Sequence, residues 1–134
     1  MPSASLIKEF EQLVGKENVF SSEADRQSYA YDAAVLKPMI PSLVVRPTEE
    51  EQLGQVVKRC YEEGIPMTVR GSGTNLTGGT IPDCSDTIVI LTTGLSKILE
   101  INTEDLYATV QPGVITAKFA AAVAALPPGI QFSG

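Results

Sequence analysis

Apolar residues recur along this chain with two different periods. Leu6, Phe10, Leu13 and Val14 return at helical spacing, with Ser3 or Ser5 placed to cap the start and Gly15 to end it, which predicts a helix over 4–14. Ser22 through Gln27 reads as a second, short helix capped by Ser21 or Ser22. Tyr29-Ala-Tyr31-Asp32 then leads into a stretch carrying Pro38 and Pro41, an extended connection. Leu43-Val44-Val45 is a short, continuously apolar run, best read as a buried strand ending at Pro47. Thr48 and Glu51 have the spacing of a capping box, and three glutamates in the first turn suit the helix dipole. Leu53, Val56, Val57, Cys60 and Tyr61 follow as one apolar stripe; Gly64 stops that helix and Pro66 prevents its return. Met67-Thr68-Val69 is the next strand. Strand, helix and strand within about 27 residues predict a βαβ unit, whose crossovers are nearly always right-handed.

Beyond residue 80 the pattern changes. Thr87–Leu91 reads as a strand. Ile98–Ile101 and Leu106–Val110 flank Asn102–Asp105, which predicts a hairpin broken off at Pro112-Gly113. Thr116 is placed to cap a last helix whose Phe119, Ala122, Val123 and Leu126 share a face, ended by Pro127-Pro128.

Between these halves lies Arg70-Gly-Ser-Gly-Thr-Asn-Leu-Thr-Gly-Gly79, directly after a strand. Four of the chain's 11 glycines sit there. Glycine admits φ > 0 and leaves no Cβ to keep a ligand away. Successive amides in such a bend can converge on one anion, and Ser72, Thr74, Asn75 and Thr77 add side-chain donors. The edge of an open α/β sheet where strands end is a common ligand site. Two familiar phosphate loops are excluded on spacing: no Gly-Lys-Ser/Thr ending is present, and Leu76 stands where a nicotinamide-type fingerprint needs glycine. A solvated turn rich in Gly, Ser, Thr and Asn is the competing reading.

Composition narrows the function further. A length of 134 residues predicts one domain that buries roughly two-thirds of its unfolded surface. The mean hydropathy of +0.09 is that of a soluble globular chain. A net charge of −6 and a pI near 4.6 argue against nucleic acid. Only Arg70 adjoins the glycine loop, so anion binding rests mainly on backbone dipoles. With no histidine, neither a His-based metal site nor a Ser-His-Asp triad exists within the chain, and no apolar run approaches a membrane span. Cys60 and Cys84 without a secretory leader suggest a reducing compartment; the expected place is the cytoplasm, with peripheral attachment to the inner membrane open to an intact enzyme.

The order of a strand, a capped helix, a strand, Arg70–Gly79, a hairpin and Val110-Gln-Pro-Gly-Val114 resembles the FAD-binding domain of the vanillyl-alcohol oxidase, or p-cresol methylhydroxylase (PCMH), type. Within it the nearest likeness is to the glycolate oxidase flavoprotein subunit and D-lactate dehydrogenase group. The similarity covers most of residues 20–115, and Pro41–Thr48 fits the usual entry to the domain. The resemblance implies an α+β fold: an N-terminal βαβ subdomain followed by strands of a second, mostly antiparallel sheet. It divides the chain into a helical extension over 1–40 and a partial FAD-binding domain over 41–134, with the substrate domain absent. It implies that the FAD diphosphate rests on the loop from Arg70 through Gly71, Ser72, Gly73, Thr74, Asn75, Leu76, Gly78 and Gly79. Pro47 would lie near the adenine, and Gln111, Pro112 and Gly113 along the cofactor. Both have plainer readings, as a strand end and a turn. Some members attach FAD through a histidine in this loop; here Thr74 follows Gly73, so FAD is expected to be non-covalent. Nothing around Cys84 suggests a tuned thiol that would serve instead.

The activity implied is oxidation of a 2-hydroxy acid of the glycolate or D-lactate type to the 2-oxo acid. Family members run several times longer and carry substrate-orienting residues in a later domain. The chain is therefore expected to be either a truncated fragment or a product carrying only the diphosphate-binding half, inactive alone. A non-catalytic nucleotide- or phosphate-binding module and a cofactor-free structural remnant remain as alternatives. An exposed face of the second sheet would favour self-association.

Overall fold

A computed structural model describes residues 1–132. The first helix, α1 (Ala4–Val14), is capped by Ser3, whose hydroxyl accepts the Leu6 amide. A two-residue strand, β1 (Val19–Phe20), and the short α2 (Glu23–Gln27), capped by Ser22, precede β2 (Leu43–Val45). Then come α3 (Glu50–Glu62), β3 (Met67–Arg70) and β4 (Ile88–Leu91). The hairpin β5 (Ile98–Asn102) and β6 (Tyr107–Val110) is followed by α4 (Thr116–Ala124).

The first sheet has the order β1-β2-β4-β3, with β2 and β3 both parallel to β4 and β1 antiparallel to β2. The βαβ expectation thus needs one change. Strands β2 and β3 joined by α3 are not neighbours; β4 lies between them. The reason is burial. All four residues of β4 and all three of β2 are buried, as central parallel strands covered on both faces require. By contrast β3 leaves Val69 exposed and takes an edge. The second sheet is the β5–β6 hairpin alone, antiparallel, with its ladder shifted between Ile98 and Glu100. At its turn the Asn102 side chain accepts the amides of Glu104 and Asp105, which holds the expected connection closed.

Alternation along β2 and β4 divides the core into two layers. Leu43, Val45, Ile88 and Ile90 face α1 and α3, packing against Leu6, Phe10, Val14, Val56 and Cys60. Val44, Val89 and Leu91 point the other way, toward Phe20 and Tyr29. The stripe expected on α3 is narrower than the spacing suggests: Val56 and Cys60 are fully buried, but Tyr61 is 81% exposed. The capping expectations also shift. Helix α3 starts at Glu50 behind Glu49, and the Gln52 side-chain oxygen, not Glu51, accepts the amides of Thr48 and Glu49. Glu51 instead accepts from the Gln55 side chain. Thr116 is the first residue of α4 rather than its cap, with Ile115 in the cap position.

Burial pushes the Cys60 thiol up to about 11, whereas Cys84 is exposed. The thiolate is the reactive form. Iodoacetamide at neutral pH is therefore expected to modify Cys84 alone on the folded chain, and both thiols after unfolding. Intact mass reads the result; rapid double labelling of the native chain would contradict the packing around Cys60.

Candidate functional site

The glycine loop leaves β3 at the end of the sheet. Gly73 takes φ +74° and Gly78 φ +75°, conformations that side chains rarely adopt. Beneath Gly73 lies the Arg70 guanidinium, close enough that a Cβ on Gly73 would collide with it. Arg70 is buried, and its Nη1 donates to the Tyr31 carbonyl at 2.6 Å. Its guanidinium carbon sits 5.6 Å from the centre of the Tyr29 ring. The loop root is fixed from the other side by Thr92, whose hydroxyl donates to the Arg70 carbonyl at 3.3 Å.

Across from the loop stand Pro112, Gly113 and the start of α4. Together they enclose a cleft of about 440 Å³ lined on one side by Gly71–Asn75 and on the other by Pro112–Thr116 and Lys118. Gly113 is what brings the two walls together. Its amide donates to the Leu95 carbonyl at 2.7 Å, and no side chain would fit between it and the backbone of Thr92 and Leu95.

The donor set of this cleft suits an anion. Among the described residues, no backbone amide from Gly71 to Gly79 meets a protein acceptor. Buried or half-buried amides left this way need a partner. The first turn of α4 has no side-chain cap; the Lys118 amide donates to the Ile115 carbonyl at 2.9 Å, but those of Thr116 and Ala117 are left free at the positive end of the helix. Ser72 and Thr74 contribute hydroxyls and Lys118 an ammonium, while among the described residues no carboxylate lines the cleft.

The residues named from the sequence divide into four groups. Gly71, Ser72, Gly73, Thr74, Asn75, Pro112 and Gly113 line the cleft together. Arg70 lies under the loop rather than in the cleft. Gln111 is buried beside it, accepting the Lys97 amide and donating to Glu50 at 3.1 Å. Leu76, Gly78 and Gly79 lie farther along the loop, with the Leu76 side chain 77% exposed. Pro47 is fully buried at the entry to α3, its carbonyl standing where a side chain on Gly94 would go.

Thr93, Ser96, Ile115, Thr116 and Lys118 also line the cleft, and sequence reasoning missed them. Lys118 corrects the expectation that Arg70 alone brings positive charge to the loop. A helix start just after Pro112-Gly113 was the available signal.

Asp32 was missed as well. Its carboxylate accepts from the Asn75 amide group at 2.7 Å, the Thr80 hydroxyl at 3.1 Å and the Ala34 backbone amide at 2.8 Å. Desolvation raises its pKa, but those donors outweigh it and hold the carboxyl below the usual 3.8. A carboxylate depressed in this way lends its full stabilisation above that value and loses it as pH falls through the lower folded pKa.

The FAD binding domain family matches residues 41–127, and the chain belongs to that family. It is 42% identical over 112 residues to the glycolate oxidase subunit GlcD of Bacillus subtilis, covering 84% of this chain and 24% of that protein. With a D-lactate dehydrogenase of Anaerostipes hadrus it shares 28% identity over 110 residues, covering 82% of this chain and 23% of that protein. Among solved structures, p-cresol methylhydroxylase with substrate bound superposes with a TM-score of 0.80 at 27% identity, over 90% of this chain and 24% of that one. The fold is thus the PCMH-type FAD-binding fold, here a mixed sheet with a small antiparallel one, and FAD is its cofactor. The chain spans about a quarter of the length of the curated relatives it matches. Among the described residues, no helix is long and apolar enough to cross a membrane.

A separate groove of about 520 Å³ runs between β5–β6 and α4, lined mainly by apolar residues such as Leu106, Val110, Phe119 and Phe132. It shares Val114 and Thr116 with the loop cleft but has neither the glycine loop nor Lys118 in its lining.

Proposed function

We propose that this chain holds the diphosphate of a non-covalently bound FAD in the cleft between Gly71–Asn75 and the start of α4. In this reading it is the FAD-binding portion of an oxidoreductase that converts a 2-hydroxy acid of the glycolate or D-lactate type to the 2-oxo acid. One observation carries the site assignment: free loop amides and an uncapped helix start border the same small cleft, with Lys118 beside them. When bound, FAD supplies two-electron redox chemistry; the protein supplies position and electrostatics. The loop amides and hydroxyls neutralise the diphosphate, and Lys118 adds a charge that the acidic chain otherwise lacks there. The names of the matched relatives support the substrate class.

Among the described residues, the lining contains no carboxylate, histidine or thiol. It is equipped to bind and orient, not to take a proton from a hydroxy acid. The 134 residues by themselves are therefore expected to bind without turnover, which is also the behaviour of a nucleotide-binding module.

Titration of the purified chain by calorimetry and flavin fluorescence tests the reading. FAD and ADP, which share the diphosphate, should bind; FMN, with a single phosphate, should bind more weakly. Gly73→Val should weaken FAD by roughly a hundredfold, since it loses φ +74° and displaces Arg70. Equal affinity of Gly73→Val and the parent chain, or preference for FMN, would place the phosphates elsewhere. Turnover of glycolate or D-lactate with an artificial acceptor would overturn the binding-only expectation.

A further inference from the structure

We propose that the segment Tyr29–Asp32 is a positioning strap that holds the glycine loop in its anion-binding shape, with Asp32 as its key residue. The inference rests on the reading of the loop cleft as a diphosphate site. The loop has little of its own to hold it. Among the described residues its backbone amides find no protein partner, and its one backbone bond is from the Ile81 amide to the Gly78 carbonyl. A segment of that kind would sample many conformations and lose that freedom on binding.

The strap removes the freedom beforehand by gripping both ends of the bend. At the root, Arg70 donates to the Tyr31 carbonyl and its guanidinium lies over the Tyr29 ring. Farther along, Asp32 accepts from the Asn75 side-chain amide at 2.7 Å and from the Thr80 hydroxyl at 3.1 Å, and that hydroxyl also reaches the Asn75 side-chain oxygen at 3.3 Å. The same carboxylate fixes its own turn through the Ala34 amide. Asp32 does not line the cleft, whereas Asn75 does. It therefore acts through Asn75, as a positioning residue rather than a phosphate ligand. Hydrogen bonds to an ionised acceptor are the stronger kind, which suits a single carboxylate to this task.

The test uses the full 134-residue chain, its Asp32→Ala variant and Thr80→Val. Each is titrated with FAD and with ADP, and the backbone order of residues 71–80 is read by ¹⁵N relaxation without nucleotide. Asp32→Ala is expected to weaken both nucleotides roughly tenfold and to lower the order parameters of the loop, leaving β2 and β4 unchanged. Thr80→Val, outside the cleft and removing one donor of the network, should move both readouts the same way by about threefold in affinity. Should Asp32→Ala fail to fold, Thr80→Val decides. Unchanged affinity in the variants, or weaker binding with loop order intact, would overturn the strap. A parent chain that binds neither nucleotide would instead remove the diphosphate site itself, and the strap's role with it.

Discussion

Gly113→Ala is expected to destabilise the chain by about 3 kcal/mol and to abolish FAD binding. A methyl at this position would stand 2.7 Å from the Leu95 carbonyl oxygen and nearer still to that of Thr92. Both are backbone atoms, which cannot swing aside as a side chain can. Gly113 is also tied to Leu95 through its own amide, so it cannot back away without losing that bond. Displacement would travel. Thr92 carries the hydroxyl that grips the Arg70 carbonyl, so moving it loosens the root of the glycine loop from the opposite wall of the cleft. A loss of this size is a large part of the 5–15 kcal/mol that typically holds a domain together. Urea unfolding followed by circular dichroism, with FAD titration at low denaturant, reads both effects. Gly54→Ala is the internal control: it lies within α3 with nothing near the added methyl, and should stabilise by about 0.5–1 kcal/mol. If Gly113→Ala unfolds at the parent midpoint and still binds FAD, the two walls are not packed as described.

That contact also marks the limit of what could be read from the chain. Local signals were legible because local chemistry decides them. The apolar periods of α1 and α3, the continuous runs of β2 and β4, the hairpin connection over Asn102–Asp105 and the end of the loop's strand all depend on neighbours in sequence. The order of strands does not. Leu43–Val45 and Ile88–Leu91 both read as buried, but nothing in either run says that β4 separates β2 from β3. Asp32 was hidden for the same reason. It sits in a proline-bearing connection without periodicity, and its partners Asn75 and Thr80 lie 43 and 48 positions away. Arg70 was noticed as the charge beside the loop, yet its destination, the Tyr31 carbonyl, is equally remote. In the cleft, the glycines and Pro112 were visible as backbone specialists, while Lys118 looked like any surface residue of a helix. Of the proposed anion site, the half made from backbone amides can be found by spacing; the half supplied by packing cannot.

Phe10→Ala is expected to cost about 3–5 kcal/mol, enough to leave much of the chain unfolded near 37 °C. Phe10 is fully buried, the largest side chain in the layer formed with Val14, Val19, Leu43, Val56 and Ile90. Removing its ring leaves a void under a sheet whose other face is already packed against Phe20 and Tyr29, so collapse can fill little of it. The site of the change matters as much as its size. Phe10 lies outside the stretch 41–127 matched by the FAD binding domain family, in the part that a sequence boundary at 40 sets apart as an extension. If α1 were only appended, the mutation would melt a helix and spare the rest. Because Phe10 packs on β2 and β4, the glycine loop on neighbouring β3 should fail with it: one cooperative transition, a lower urea midpoint and weaker FAD binding at temperatures where the parent chain is folded. Saturating FAD should restore part of the midpoint, since a ligand bound only by the folded state draws the equilibrium toward it. A loss below about 1 kcal/mol, with FAD affinity intact, would mean that the layer over β2 and β4 does not depend on α1 and that the cleft is supported from residue 41 onward alone.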